Sequence, residues 1–143
     1  MFRIIASVLL VIVGFAALYG GFMFMIDPSG YQLGISRDLL VGTPFDNYMV
    51  PGIILFVVVG LFSLVSGVLT ILRNPVFPWL LMIAGLILMG WLTVQLFMNS
   101  GFFSPLFHYP LYAVGISLLL IGFLERRNAN QPEPSTYRKN KEV

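Results

Sequence analysis

The hydrophobic positions of this chain form long, unbroken runs separated by short polar segments. Residues 4–26, 47–72 and 74–124 contain no Asp, Glu, Lys or Arg. A helix needs about 20 apolar residues to cross about 30 Å of hydrocarbon, so the first two runs each supply one membrane span. The third run is too long for one helix, and its centre, residues 99–110, is rich in turn-forming residues. We therefore predict an all-α four-helix transmembrane bundle with spans at about 4–26, 50–72, 76–98 and 108–124.

The chain divides into a membrane domain and a tail. Residues 1–124 form the predicted transmembrane domain, and residues 125–143 are predicted to be a disordered, basic cytoplasmic tail because they are polar and contain few apolar residues. The apolar run of the first span is longer than the 7–15 residues of a cleaved signal peptide, so we predict an uncleaved anchor.

The distribution of basic residues predicts the orientation. Of the 8 Lys and Arg residues, only Arg37 lies between the first two spans, and the others lie at the termini or between the second and third spans. Lys and Arg are enriched in cytoplasmic loops. We therefore expect both termini in the cytoplasm, with the 27–48 loop and the 99–110 hairpin on the outer side.

The first loop carries several signals of ordered structure. Asp27 precedes a proline and can accept backbone hydrogen bonds in a turn, and Asp46 could act similarly before the second span. Residues 36–40 resemble a short capped helix on the membrane surface. Pro51 and Pro110 suit the first turns of the second and fourth spans, where no N–H is needed. We therefore predict an ordered extracytoplasmic loop.

Composition narrows the chemistry. Charged residues make up 10% of the chain, against about 25% in soluble domains, which argues strongly against a soluble globular enzyme. There is no cysteine and one histidine, and no phosphate-binding, hydrolase or zinc-protease motif occurs. We accordingly predict no enzymatic activity, no catalytic residue, no cofactor and no metal site. The basic excess is small and lies mostly in the tail, which favours lipid contact over nucleic acid.

A polar stripe follows one face of the third span. Trp91, Gln95 and Asn99 are spaced by four residues, which places them on the same side of a helix. An amide in hydrocarbon needs a hydrogen-bond partner. Gln95 therefore makes an interhelical hydrogen bond, contacts a ligand or ion, or reaches the interface, and the sequence leaves these alternatives open.

Acidic and aromatic residues gather in the predicted outer layer. Asp27, Asp46 and His108 are candidate ligand or partner contacts, and solvated loop charges are the simpler interpretation of the aspartates. The aromatic rings of this layer form either an interfacial belt or a docking surface for lipid, quinone or a partner. These rings belong to Tyr31, Phe45, Tyr48, Phe102, Phe103, Phe107, Tyr109 and Tyr112.

Small residues recur at helical spacing in the first two spans. They allow helix backbones to approach closely, which favours packing within the monomer or, alternatively, homo-oligomerisation. The candidate packing residues are Gly14, Ala17, Gly21, Gly60, Ser63 and Gly67.

Several short motifs resemble a known group of proteins. DPSG at 27–30, TPF at 43–45 and PG at 51–52, followed by a long apolar run, are similar to motifs of small bacterial four-span membrane proteins that carry no assigned function. Trp91 and Gln95 fit the later half of that pattern. The resemblance implies a four-helix bundle in a bacterial cytoplasmic membrane and supplies no catalytic residue.

These observations lead to two functional hypotheses. The first is a non-enzymatic accessory, scaffold or lipid-organising subunit whose partner is the bilayer, either as a homo-oligomer or within a larger membrane complex. The alternative is a component of a small oligomeric transporter or channel, which requires a polar path through the membrane. The residues available to line such a path are Ser63, Ser66, Thr70, Thr93, Gln95, Asn99 and Ser117. An intramembrane enzyme would instead need His108 within hydrogen-bonding reach of an aspartate.

Overall fold

Four long helices make up most of the computed structural model, which describes residues 1–129. Each helix is long and apolar enough to cross a membrane: α1 (Phe2–Ile26), α2 (Met49–Ile71), α3 (Phe77–Met98) and α4 (Pro105–Ala129). Short 3₁₀ helices lie in two of the connections, and the described part of the chain contains no strand. The predicted all-α architecture with four spans is confirmed.

The bounds of α4 differ from the prediction. The first three helices begin and end within two residues of the predicted spans, but α4 runs from Pro105 to Ala129 rather than over 108–124. Residues 125–129, predicted as the start of the disordered tail, are therefore helical. The rest of the predicted tail, residues 130–143, lies outside the described residues.

The early start of α4 has a local cause. The backbone carbonyl of Ser104 accepts hydrogen bonds from the N–H groups of Phe107 and His108, which closes the first turn. Pro105 occupies the first helical position, where its missing N–H removes no helical bond. Pro110, predicted to open this helix, therefore lies inside it.

The late end of α4 is stabilised by a contact with the beginning of α3. The guanidinium carbon of Arg126 lies 3.9 Å from the centroid of the Trp79 ring. Such a cation–π contact is favourable, and a cation in the last turn also interacts favourably with the helix dipole. The last turns of α4 are therefore stabilised by this contact as well as by the packing of apolar side chains earlier in the helix.

The helices pack as two close pairs, α1 with α2 and α3 with α4. Glycines permit this approach. A Cβ on Gly21 would lie 2.6 Å from the carbonyl oxygen of Gly52, and a Cβ on Gly85 would lie 2.5 Å from the carbonyl oxygen of Gly115. Close packing stabilises helix association in a membrane, where apolar side chains gain little by leaving lipid.

A buried cluster joins the two pairs at one end of the bundle. We call this the terminal end, because it holds Met1 and the end of α4, and the opposite end, with the α1–α2 and α3–α4 connections, the loop end. At the terminal end this cluster of buried side chains contains residues of α1, α3 and α4. Its members are Ala6, Leu10, Leu81, Ala84, Leu118 and Ile121. The bundle is therefore closed at the terminal end.

The α1–α2 loop is ordered. The Asp27 carboxylate accepts hydrogen bonds from the backbone N–H groups of Ser29 and Gln32, so the predicted turn is confirmed. The Ser36 side chain accepts from the N–H of Asp38 and caps a 3₁₀ helix over Arg37–Leu40, which is the predicted short helix.

The predicted role of Asp46 at the start of α2 is wrong. The amide oxygen of Asn47 accepts the hydrogen bond from the N–H of Met49, and Asp46 contributes its backbone carbonyl to the Arg37 guanidinium. Asn47 is two residues before Met49, the spacing at which a short polar side chain reaches a backbone N–H. Asp46 is one residue farther away.

Candidate ligand cavity

A cavity of about 850 Å³ lies between the two helix pairs at the loop end. It is partly open to the surface, and all four helices contribute to its walls. The lining is mostly apolar. Its helical members are Val13, Ala16, Ala17, Gly20, Phe24, Pro51, Ile54, Leu55, Val59, Leu88, Trp91, Leu92, Val94, Gln95, Met98, Phe107, His108 and Leu111. Close-packed protein interiors contain few voids larger than a water molecule, so a space of this size is a feature of the fold.

Buried side chains from three helices close the cavity toward the terminal end. Val13 and Ala17 of α1, Val59 of α2, and Leu88 and Leu92 of α3 form one buried cluster, and each also lines the cavity. The cavity therefore begins where the interhelical packing at the terminal end stops.

One wall of the cavity is formed by a widened section of α2. Leu55–Leu61 form a π-helical stretch within α2, and Leu55 and Val59 of this stretch line the cavity. π-Helical stretches are rare in proteins, and those that do occur are often found at functional sites. The apolar pattern of the second span gave no signal for it, because a continuous run of apolar residues has no visible period.

The α1–α2 loop covers the cavity at the loop end, and Tyr48 holds it there. Tyr48 is 2% exposed, and its ring stacks on Phe24 with 4.7 Å between the centroids. Its hydroxyl donates a 2.7 Å hydrogen bond to the carbonyl of Ser36, and burial raises the pKa of this hydroxyl. The Tyr48 N–H donates to the carbonyl of Pro28. Among the predicted belt residues, Tyr48 is thus a buried part of the loop.

A hydrogen bond from Asn99, at the end of α3, also holds the loop in place. The side-chain amide of Asn99 donates a 3.0 Å hydrogen bond to the carbonyl of Leu39, and its oxygen accepts from the N–H of Gly101. Asn99, predicted as a ligand or partner contact on the polar stripe, therefore has a structural partner and does not belong to the cavity lining. A short polar residue two positions before a glycine is a capping signal that sequence reasoning could have used.

The other two members of the predicted stripe do line the cavity. Trp91 and Gln95 project from α3, and both are partly buried. Within residues 1–129, neither the Gln95 amide nor the Trp91 indole N–H has a hydrogen-bond partner. The interhelical hydrogen bond between α3 and α4 is made instead by Thr93 and Tyr112, whose oxygens lie 2.9 Å apart.

His108 lies on the α4 side of the cavity and is 4% exposed. Its Nδ1 is 3.2 Å from both the backbone nitrogen and the carbonyl oxygen of Ser104. Its Nε2 is buried without a partner in the described part of the chain. Two aromatic rings lie near the imidazole, with centroid distances of 5.4 Å to Phe103 and 6.5 Å to Tyr112.

The two candidate aspartates lie outside the cavity lining. Asp27 ends α1 and is engaged in its own turn, and Asp46 is exposed. Hydrogen bonds from the Ser29 hydroxyl and the Gln32 N–H lower the pKa of Asp27. Within residues 1–129, no aspartate hydrogen-bonds His108, and no group of three His, Asp or Glu side chains is placed to hold a metal ion. The arrangement therefore brings together Trp91, Gln95 and His108 but not the carboxylates.

The candidate packing residues lie at the α1–α2 interface or beside it. A Cβ on Gly14 would lie 2.7 Å from Leu64, one on Gly60 would lie 2.8 Å from Leu18, and one on Gly67 would lie 3.4 Å from Leu10. Gly21 approaches α2 most closely of these, as described above. Ala17 lines the cavity, and Ser63 is buried in α2. The glycine stripes are thus occupied by contacts within one chain.

The seven polar residues considered for a transport path do not share one surface. Ser63, Ser66 and Thr70 are buried within α2, and the Thr70 hydroxyl donates to the Ser66 carbonyl of the same helix. Ser117 likewise bonds a carbonyl of its own helix. Within residues 1–129, Gln95 is the only one of the seven that lines the cavity.

Comparisons with protein-family models, curated protein sequences and solved structures give no match.

Proposed function

We propose that this chain is a non-enzymatic protein of a bacterial cytoplasmic membrane that binds an apolar molecule from the bilayer, and so acts as an accessory or lipid-organising subunit. The observation that carries the proposal is the cavity between the helix pairs. Its volume of about 850 Å³ falls within the range of about 300–1,000 Å³ that is typical of ligand pockets.

The chemistry of the cavity favours hydrocarbon over water. A water molecule inside a protein needs two to four polar partners, and cavities with apolar walls remain dry. Most of this lining consists of aliphatic and aromatic side chains. In a membrane, such a partly open space is filled most favourably by a lipid chain or another apolar molecule.

The position of the exposed lining residues supports access from the bilayer. Ala16, Val94 and Phe107 line the cavity, are exposed at the surface and belong to membrane-spanning helices. The loop end is covered by the segment that Tyr48 and Asn99 hold in place. A ligand that moves laterally between helices avoids crossing this cover and never leaves an apolar environment.

The proposal includes an orientation with the loop end on the outer side of the membrane. Arg3, Arg73, Arg126 and Arg127 lie at the terminal end, whereas the loop end carries Arg37. The absence of cysteine from the sequence allows a direct test with single cysteine variants. A membrane-impermeant maleimide added to intact cells should label Val41→Cys in the loop but not Val76→Cys in the α2–α3 connection. Labelling of Val76→Cys alone would show that the chain has the opposite orientation in the membrane.

Ligand binding is tested with a photoactivatable fatty-acyl probe in vesicles that contain the purified full chain. We expect cross-links at cavity positions such as Leu92, in excess of those at the outward-facing Ile12. Ala16→Phe should reduce the cavity cross-links, because the added ring occupies the cavity. Ala113→Phe is the matched control, since Ala113 is exposed on α4 and is not part of the lining. Equal labelling of the cavity and the outer faces, unchanged by Ala16→Phe, would refute the proposal.

A further inference from the structure

The strongest unexplained feature of the cavity is a nitrogen of the buried His108 side chain that has no partner within residues 1–129. Hydrogen-bonding capacity indicates which tautomer is present. The carbonyl of Ser104 already accepts from two backbone N–H groups, whereas the Ser104 N–H has Nδ1 as its acceptor. A neutral imidazole that accepts at Nδ1 carries its proton on Nε2. In this tautomer the Nε2–H of His108 is a buried donor with no acceptor within residues 1–129.

Gln95 adds a second set of unused polar groups to the cavity lining. Its side chain lines the same cavity from α3 and has no hydrogen-bond partner in the described part of the chain. A primary amide offers two donors and one acceptor. In a membrane interior each unsatisfied group is costly, because no bulk water is present to replace the missing partner. Two helices thus place unsatisfied donors on one cavity.

Charge limits what these donors can bind. Within residues 1–129, no Asp, Glu, Lys or Arg lines the cavity. A phosphate or carboxylate head would therefore lose its hydration without gaining a counter-ion, which is strongly unfavourable. A neutral oxygen acceptor, such as a carbonyl, can take a hydrogen bond from an amide or imidazole N–H at a much smaller desolvation cost.

We propose that the cavity selects a neutral amphiphile whose head carries carbonyl oxygen, with the Gln95 amide and the His108 Nε2–H as the donors and the apolar walls around its tail. This inference rests on the proposed function, because it assigns the head of a ligand whose tail that function places in the cavity. A membrane quinone and a neutral acylglycerol share this chemistry. Phe103, which is 43% exposed, packs against the imidazole on this side of the cavity lining.

Tryptophan fluorescence offers a direct test. The chain has two tryptophans, so the Trp79→Phe variant leaves Trp91, in the cavity lining, as the reporter. The full-length variant in detergent micelles is titrated with probes that quench tryptophan and share a similar apolar chain. These are a brominated diacylglycerol, a brominated fatty acid at pH 8, a brominated alkane and an isoprenoid quinone.

We expect the diacylglycerol or the quinone to bind at least about tenfold more tightly than the alkane and the ionised fatty acid, as expected for one added hydrogen bond. The tighter of the two neutral carbonyl probes identifies the source of the ligand. Gln95→Leu, which keeps a similar side-chain size, should remove about tenfold of that affinity and leave alkane binding unchanged. His108→Phe should act in the same direction, and Ser117→Ala, outside the cavity lining, should have no effect.

The outcomes separate the two proposals. If the alkane binds as tightly as the carbonyl probes, and Gln95→Leu changes nothing, the assigned head chemistry is overturned while the apolar cavity remains supported. Tighter binding of the ionised fatty acid also overturns it. If no probe quenches Trp91 in a manner sensitive to Ala16→Phe, both the head chemistry and the proposed function fail.

Discussion

The close approach of α1 and α2 at Gly21 gives a quantitative prediction. A methyl group on Gly21 would lie 2.6 Å from the Gly52 carbonyl oxygen and 2.7 Å from the Phe56 nitrogen, both backbone atoms that cannot rotate away. Gly21→Ala must therefore separate the helices locally. Overpacking of this kind costs typically about 1–3 kcal/mol, and rigid neighbours place this site in the upper half of that range. Stability is measured by titrating the protein from mild detergent into SDS and following helix content by circular dichroism.

Gly20→Ala is the matched control for this prediction. It changes the same residue type in the same helix, but its new Cβ would meet only the side chain of Leu55, at 3.4 Å. Both substitutions gain the same helix propensity, about 1 kcal/mol in water, so this term cancels in the comparison. We expect Gly21→Ala to be less stable than Gly20→Ala by about 2–3 kcal/mol. Equal stability of the two variants would show that α1 and α2 do not pack at Gly21 as described.

Three further predictions concern the ends of the bundle. Tyr48→Phe should lower the free energy of unfolding by about 0.5–1.5 kcal/mol and increase hydrogen exchange in the loop, because it removes one hydrogen bond and keeps the ring stack. Unchanged hydrogen exchange in the loop would contradict this prediction. Hydrogen bonds hold the pKa of Asp27 below its ordinary value of 3.8, so its contribution to loop stability is complete above that pH and is lost as the pH falls through the lowered value. The amide shift of Gln32 should therefore titrate with a midpoint below 3.8 in the wild type and remain flat in Asp27→Asn. Trp79→Leu should lower the free energy of unfolding by about 0.5–1 kcal/mol and fray the end of α4, and Trp79→Phe should have a smaller effect. Equal fraying in both variants would argue against the contact with Arg126.

The spans were predictable because each depends mainly on its own residues. The first three helices end within two residues of their predicted bounds. The error at α4 has a physical origin. A proline suits the start of a helix, and both Pro105 and Pro110 offered that signal, but only Pro105 follows a residue whose carbonyl closes the first turn. The last turns depend on the contact between Arg126 and Trp79, which are far apart in the sequence.

The candidate site was predictable in its residue types but not in its arrangement. Helical spacing put Trp91, Gln95 and Asn99 on one face, yet Asn99 bonds Leu39, a residue 60 positions away. Tyr48 was grouped with the aromatic belt, although it is buried beneath the loop. The pattern contained no information on these partners, because they come from other segments of the chain.

By itself, the sequence determined that this chain forms four apolar helices with an ordered loop between the first two. The cost of placing charges in hydrocarbon and the thickness of a bilayer act on each segment separately, so local composition suffices. The tertiary structure alone decided that glycine contacts draw the helices into two pairs, that the pairs separate toward the loop end, and that Gln95 and His108 lie on one cavity. A cavity is a property of how surfaces from distant segments fit together, and no single segment encodes it.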